Sequence, residues 1–511
     1  MSFSNASLSA LALCIALGLS GAASAQESAD PKLSMQEVEA AWAQQDFVKV
    51  RGGLKVLAEE GMPFAMYRYG RVLLQGLGGP KDQEGAEFWL EKAIEANQPN
   101  ASVLLARLLL TKTEDGTARD PERAAQLLKA AAPLGNHEAQ YYLARLYQKG
   151  EGVAKSGADA FNWMRASAIG GYVDAQFSLS RHYSRAKDSE QTLYWLNEAA
   201  GQGHREAQYF LGYALDQGQG AKQNRELGFE WLLRSAESGF IPAQVAVGRK
   251  YLSGDGVPTN GAEAQRWLKI AAQSGSSEAM TSLAKGHLAG DVVELNEPLA
   301  LNLLQKAVQR GSPKAMVALA GMLEQAQGGA ERDLEEAVKL YRTALDLGFD
   351  EASLELGRLA SSGALAEMLA PHRMVPWVMS SIENGDEAAL DWLRDQAAQG
   401  LRPAQTALGI WAGRTEGAPD DAAALLTNAA AAGDARAQYE LGLLYITGQG
   451  VELDYVQAHK WVNIAAARGV EAAAEKRDVL VDLMTPEQIA EAQTAAREFF
   501  DQASAPTEVK P

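Results

Sequence analysis

The sequence predicts an all-α fold, an α-solenoid of stacked antiparallel helix pairs. Three observations carry that expectation. An alanine followed four residues later by an apolar residue and five later by Gly, Ala or Ser recurs at Ala65, Ala101, Ala139, Ala175, Ala207, Ala243, Ala279, Ala315, Ala352, Ala404 and Ala437, mostly in steps of 36 to 38 residues. Eight of the ten tryptophans (Trp89, Trp163, Trp195, Trp231, Trp267, Trp377, Trp392 and Trp461) lie twelve residues before an alanine, and Leu127, Leu303, Leu340 and Leu425 fill the same slot elsewhere. Glycines punctuate the helical patterns, in pairs such as Gly150/Gly152, Gly254/Gly256 and Gly448/Gly450. A small residue at one recurring helical position lets a neighbouring helix approach closely. A large apolar residue once per unit fills the space between successive pairs. Neither pattern speaks of catalysis.

Composition sets the outer limits. The chain has 511 residues, 47% hydrophobic and 22% charged, with a net charge of −18. A non-repeating chain of this length would hold roughly three or four domains; stacking makes that count moot. The negative charge disfavours nucleic acid and anionic membrane surfaces, which need a basic footprint. Cys14 is the single cysteine, so the remainder has no disulfide framework, thiolate zinc site or cysteine nucleophile.

Taken in order, residues 1–25 read as a secretory signal. Leu8 to Gly21 is apolar, and Ala23-Ser24-Ala25 supplies a small-residue cleavage site. The first ten residues carry no Lys or Arg, which departs from the usual pattern. The run is short for a membrane span, so no membrane-spanning segment is expected after cleavage. Leu13 stands before Cys14 where a bacterial lipobox carries Gly or Ala, which argues against lipid anchoring. Residues 26–33 are expected to be flexible. Residues 34–60 form N-terminal capping helices, opened by a capping box from Ser34 to Glu37. Residues 61–370 are a first repeat block, and 371–470 an irregular junction followed by a second block. At the junction Trp377 and Trp392 stand fifteen residues apart, so a first helix and its loop are missing between them, with Pro371 and Pro376 nearby. A break in the regular stack is expected there. Residues 471–500 read as C-terminal capping helices, the last starting at Thr485-Pro486-Glu487-Gln488, and 501–511 as a disordered tail.

The best-formed unit is Ala437 to Gly469. Leu441, Gly442 and Tyr445 lie on its first helix, Gly448, Gly450 and Val451 in its turn, and Asp454, Ala458, Trp461, Ala465 and Ala466 on its second. These residues resemble the Sel-one-like repeat, a 36-residue relative of the tetratricopeptide repeat, over about residues 60–470. The resemblance implies a right-handed superhelix that holds protein partners. Exported members imply two alternatives. One is a scaffold for exopolysaccharide secretion or a restraint on a sensor kinase. The other is β-lactam binding or hydrolysis, known in cysteine-rich relatives whose cysteine pairs are absent here.

Candidates for chemistry are few. The glycine pairs follow helices rather than strands, and no Gly-Lys-Ser/Thr comes after them, so they read as turns and not phosphate loops. His137, His182, His204, His287, His372 and His459 lack the helical spacing of a metal site; His287 occupies the slot held by Tyr147, Tyr183, Tyr251 and Tyr445. No catalytic residue, metal site or cofactor site is assigned. Glutamine follows the anchor alanine at Gln140, Gln176, Gln208, Gln244, Gln405 and Gln438. If exposed, these form a ladder of neutral donors and acceptors along a partner groove. If half-buried, they bond to the adjacent pair. Trp42 and Trp411, off the repeat register, are the aromatics to check for a glycan ligand. The sequence therefore reads as a non-enzymatic periplasmic scaffold of a Gram-negative bacterium. Its partner would be a protein or peptide, with a glycan as the alternative ligand.

Overall fold

The structure is a computed structural model that describes residues 34–112, 119–415 and 421–504. The signal segment with Cys14, residues 26–33 and residues 505–511 of the tail lie outside the described residues. Among those described there are 27 α-helices and no strand. They form two compact units, divided between His204 and Arg205.

Unit one opens with α1 (Met35–Ala43) and α2 (Phe47–Glu59). Four pairs follow: α3 (Pro63–Gln75) with α4 (Gln83–Glu95), α5 (Ala101–Leu109) with α6 (Pro121–Ala131), α7 (His137–Lys149) with α8 (Gly157–Ile169), and α9 (Val173–Arg185) with α10 (Ser189–Gly201). Unit two begins with α11 (Arg205–Gln217) against α12 (Arg225–Glu237), α13 (Ile241–Ser253) against α14 (Gly261–Gln273), and α15 (Ser277–Ala289) against α16 (Glu297–Gln309). It continues with α17 (Pro313–Gln325) against α18 (Leu334–Asp346), and α19 (Glu351–Ser361) against α20 (Val375–Glu383). Next come the single helix α21 (Glu387–Ala398), and then α22 (Arg402–Arg414) with α23 (Ala422–Ala431) and α24 (Ala435–Thr447) with α25 (Tyr455–Ala467). The unit closes with α26 (Glu471–Val481) and α27 (Pro486–Ser504).

Local chemistry sets these boundaries. Second helices start on a short polar side chain that accepts the third amide, as at Asp82, Ser156, Asn224, Asn260 and Asp421. Several first helices end on a left-handed glycine: Gly76, Gly150, Gly254, Gly290 and Gly448. The second glycine of the turn has a different reason. A Cβ on Gly152 would sit 2.0 Å from the Pro121 carbonyl oxygen, so the turn rests directly on the start of α6.

Packing follows the sequence rulers. All eleven anchor alanines are 0% exposed. The small residue five positions on is where the two helices of a pair meet: a Cβ on Gly248 would lie 2.6 Å from Leu268 Cγ, and one on Gly442 2.6 Å from Val462 Cγ2. Trp195, Trp267 and Trp461 are buried and the other five marker tryptophans half-buried. This is the α-solenoid of stacked helix pairs that the sequence predicts.

The junction differs from the simple expectation. The pairing is interrupted, because α21 stands alone between α19/α20 and α22/α23. The core is not: one apolar cluster runs from Met280 through Leu356, Val378 and Leu393 to Leu408. The single helix contacts α19, α20 and α22, so it serves as the next first helix for one pair and as the preceding second helix for the other. The compact division of the chain falls at residue 204, not at 370.

Both ends carry the caps read from sequence. The Ser34 amide donates to Glu37 Oε2 at 2.7 Å, and the Thr485 amide to Gln488 Oε1 at 2.9 Å. The last helix packs Phe499 against Trp461 with ring centroids 5.4 Å apart. It runs to Ser504, so the tail cannot begin at 501 as the sequence reading has it.

Candidate functional site

The glutamine ladder needs correction. Gln140, Gln176, Gln208, Gln244 and Gln438 are buried, and Gln405 is half-buried. The amide nitrogens of Gln140, Gln176, Gln244, Gln405 and Gln438 donate to the carbonyl oxygens of Ala132, Ala168, Ala236, Ala397 and Ala430, at 3.0 to 3.2 Å. Each acceptor lies eight residues earlier, at the end of the preceding helix. Each of these carbonyls already accepts the amide of the turn glycine three residues on, as Ala132 does from Gly135 and Ala430 from Gly433, and the glutamine takes its second lone pair. The side chains staple successive pairs and are not presented to a partner.

The off-register tryptophans are likewise engaged. Trp42 meets Phe47 edge-on at 6.0 Å and lies under the Arg68 guanidinium at 4.9 Å. Trp411 is half-buried against the core of unit two. Neither is an aromatic platform free for a sugar ring. Among the described residues no three of His, Cys, Asp and Glu gather as a metal site. His287 Nδ1 pairs with the Glu294 carbonyl oxygen at 2.8 Å inside the stack.

His459 is 2% exposed, and its Nδ1 has no hydrogen-bond partner. Burial, with Arg477 nearby, holds its pKa below the ordinary 6.5. The unfolded chain then binds the proton more readily than the folded one. The stability contributed is full above pH 6.5 and is lost as pH falls from there toward the depressed folded value. Urea melts at pH 7.5 and 5.5 are expected to show this loss, reduced in His459→Gln. Equal pH dependence in the two proteins would count against the assignment.

Open clefts lie along the first helices and reach onto two second helices, α8 and α20. In unit one a cleft of about 460 Å³ lies across α7, α8 and α9, with Tyr141, Phe161 and Met164 beside Arg145, Arg181 and Arg185. A second, of about 210 Å³, lies across α5 and α7, with Tyr142 between Arg107 and Arg145. Burial raises the Tyr142 pKa, with Glu138 adding to it, so its hydroxyl stays a neutral donor. In unit two a cleft of about 1030 Å³ crosses α13, α15 and α17 to the start of α19, where Leu252, Val317 and Phe349 alternate with Arg249, Lys285 and Lys314. Another, of about 430 Å³, opens on α20, α22 and α24 beside Met379 and Ile410. Apolar floors with charged rims suit chain segments of another molecule.

The description of the Sel1 repeat matches residues 63–98, 101–136, 137–172, 173–204, 205–240, 241–276, 277–312, 313–349 and 435–470, more than half of the chain. The chain belongs to the Sel1 repeat family. Such repeats build scaffolds for protein–protein contacts. The units anchored at Ala352 and Ala404 fall outside the nine matches, on either side of the single helix α21. This Sel1 chain is similar to chitin synthase regulatory factor 3 of Schizosaccharomyces pombe, 30% identical over 177 residues, covering 32% of this chain and 19% of that one. It is also similar to an uncharacterized protein of Neisseria meningitidis serogroup B, 30% identical over 171 residues, covering 34% and 35%. The match thus spans a fifth to a third of these relatives' length. Among solved structures it resembles c5321, a protective antigen of uropathogenic Escherichia coli with an SLR fold. That likeness has 25% identity and a TM-score of 0.56, covering 90% of this chain and 99% of the other. No helix among the described residues is long and apolar enough to cross a membrane.

Proposed function

We propose that the chain is an exported, non-enzymatic scaffold of the bacterial envelope that binds protein partners through the clefts of its first helices. One observation carries the reading. The repeated alanines, glycines, tryptophans and glutamines are taken up in holding the helix pairs together, while the exposed first-helix surfaces keep open clefts of mixed apolar and basic character. The signal read in residues 1–25 supports placement in the periplasm. The likeness to a chitin synthase regulatory factor favours one version of the role, in which the partner belongs to a polysaccharide-synthesising system.

The test is photo-cross-linking in intact cells. A photoreactive residue at Val317, in the large cleft of unit two, is expected to capture a discrete envelope protein. The same residue at Glu122, on the second-helix side of unit one, is expected to capture none. The purified mature chain is expected not to turn over nitrocefin. Absence of any captured protein, or clear nitrocefin turnover, would overturn the proposal.

A further inference from the structure

In unit one the residue six positions after the anchor alanine is always arginine: Arg71, Arg107, Arg145 and Arg181, on α3, α5, α7 and α9. In unit two the same position holds Arg249, Lys285 and Arg358, broken by Tyr213 and Gly321, and it turns apolar at Ile410 and Leu443. The reason for exposure is geometric. The neighbours at positions four and five point into the stack, so position six turns about 100° away from the small residue, toward solvent. All four arginines of unit one are exposed.

Exposed arginines in a chain of net charge −18 should find carboxylates. Arg107 does, 3.1 Å from Glu138. Arg71, Arg145 and Arg181 form no ion pair with the described residues. They are also not scattered. Arg107 and Arg145 line one cleft, and Arg145 and Arg181 line the next, so Arg145 joins the two into one track. Aromatic and thioether surface lies between the guanidinium groups: Tyr142, Tyr141, Phe161 and Met164.

We propose that this arginine ladder holds an extended acidic segment of a protein partner. The inference rests on the scaffold reading above and names the chemistry of the partner. Guanidinium pairs with carboxylate in a two-pronged geometry that a lysine ladder could not reproduce. Rungs on successive first helices stand roughly one helix diameter apart, about 10 Å. A segment in the extended polyproline II conformation rises about 3.1 Å per residue and turns once in three residues, so every third side chain points the same way. Every third residue of the bound segment therefore meets a rung, and the residues between are free to cover the aromatic surface. A uniform polyanion fits less well, because Glu138 and Glu151 stand beside the track and repel charge that is not placed at a rung.

The experiment is fluorescence anisotropy on the full chain with a labelled twelve-residue peptide carrying Asp at every third position and Leu or Ser between. The controls are its Asp→Asn counterpart, a permuted peptide with the same aspartates in one block, and labelled polygalacturonate. The wild-type chain is expected to bind the spaced peptide at least tenfold more tightly than either control peptide, with affinity falling as salt rises. Arg145→Gln with Arg181→Gln is expected to lose at least tenfold in affinity while its thermal unfolding shifts little, since both residues are exposed and form no ion pair with the described residues, and Arg145 gives up an exposed contact over the Tyr141 ring at 5.7 Å. Equal binding by wild type and double variant, no binding of the spaced peptide, or tighter binding of polygalacturonate would overturn the ladder. Cross-linking separates the two readings. A double variant that still captures the same envelope protein as wild type overturns the ladder and leaves the scaffold standing. Failure of both chains to capture any protein overturns the scaffold.

Discussion

Truncating Lys250 to alanine is expected to destabilise unit two by about 3–5 kcal/mol, the cost of stranding a buried charge. Lys250 is 8% exposed and Asp216 3%. The ammonium lies 2.5 Å from Asp216 Oδ1, 3.0 Å from Asp255 Oδ2 and 3.2 Å from the Asp255 carbonyl oxygen. All three of its donors are thereby used. Asp255 is fixed from its other side by Arg225 at 3.0 Å, and its carboxyl is held below the usual range by the hydrogen bond from Lys250. Without the lysine, Asp216 keeps a bond from Gln217 but loses its counter-charge. The decisive comparison is the double replacement Lys250→Met with Asp216→Leu, which removes both charges and fills similar volume. It should recover most of the loss. Urea denaturation followed by far-ultraviolet circular dichroism reads both. The single variant should remain the weaker at 0.5 M salt, because a buried pair is screened little. Lys250→Ala within about 0.5 kcal/mol of wild type would show that the site relaxes or hydrates, and the account of this cluster would fail.

That cluster also marks where sequence reading stops. Asp216 and Lys250 lie 34 residues apart, not one repeat length, and on two different first helices, α11 and α13. No periodic ruler brings them together. The positions that were legible are those whose job is identical in every repeat. Ala139, Ala243 and Ala437 recur because the same contact recurs, and each is fully buried. Gln140 and Gln438 are periodic too, but the spacing left two uses open, because a buried amide and an exposed one recur alike. Only the bond to the carbonyl eight residues earlier distinguishes them. The arginine ladder was legible in principle. Reading one position beyond the small residue would have found Arg71, Arg107, Arg145 and Arg181. Two marker tryptophans too close together did flag the junction. Sequence could not say that α21 would take both helix roles and keep the core continuous.

Gly228→Ala, the addition of one methyl group, is expected to destabilise unit two by about 1–3 kcal/mol, although alanine is the better helix former. The reason lies in what the methyl would meet. A Cβ on Gly228 would stand 2.7 Å from the Gly212 carbonyl oxygen and 2.9 Å from the Asp216 amide nitrogen. A Cβ on Gly212 would stand 2.8 Å from the Gly228 carbonyl oxygen and 3.0 Å from the Leu232 amide nitrogen. All four are backbone atoms, which cannot rotate aside, so α11 and α12 must move apart along their length. Gly52 is the control. It lies on the exposed side of α2, and a Cβ there would meet nothing within 4 Å. Gly52→Ala should therefore stabilise unit one by about 0.5–1 kcal/mol through helix propensity alone. Opposite signs from one chemical change, read by urea melts of the two variants, would establish close approach of α11 and α12 as what the glycines at 212 and 228 provide. Because Asp216 sits against Gly228, displacement of α11 also disturbs the ion pair. Gly228→Ala combined with Lys250→Ala should then cost less than the sum of the single changes. Strict additivity would place the helix contact and the charge cluster in energetically separate regions, and a stabilising Gly228→Ala would refute the close-packing account of α11 and α12.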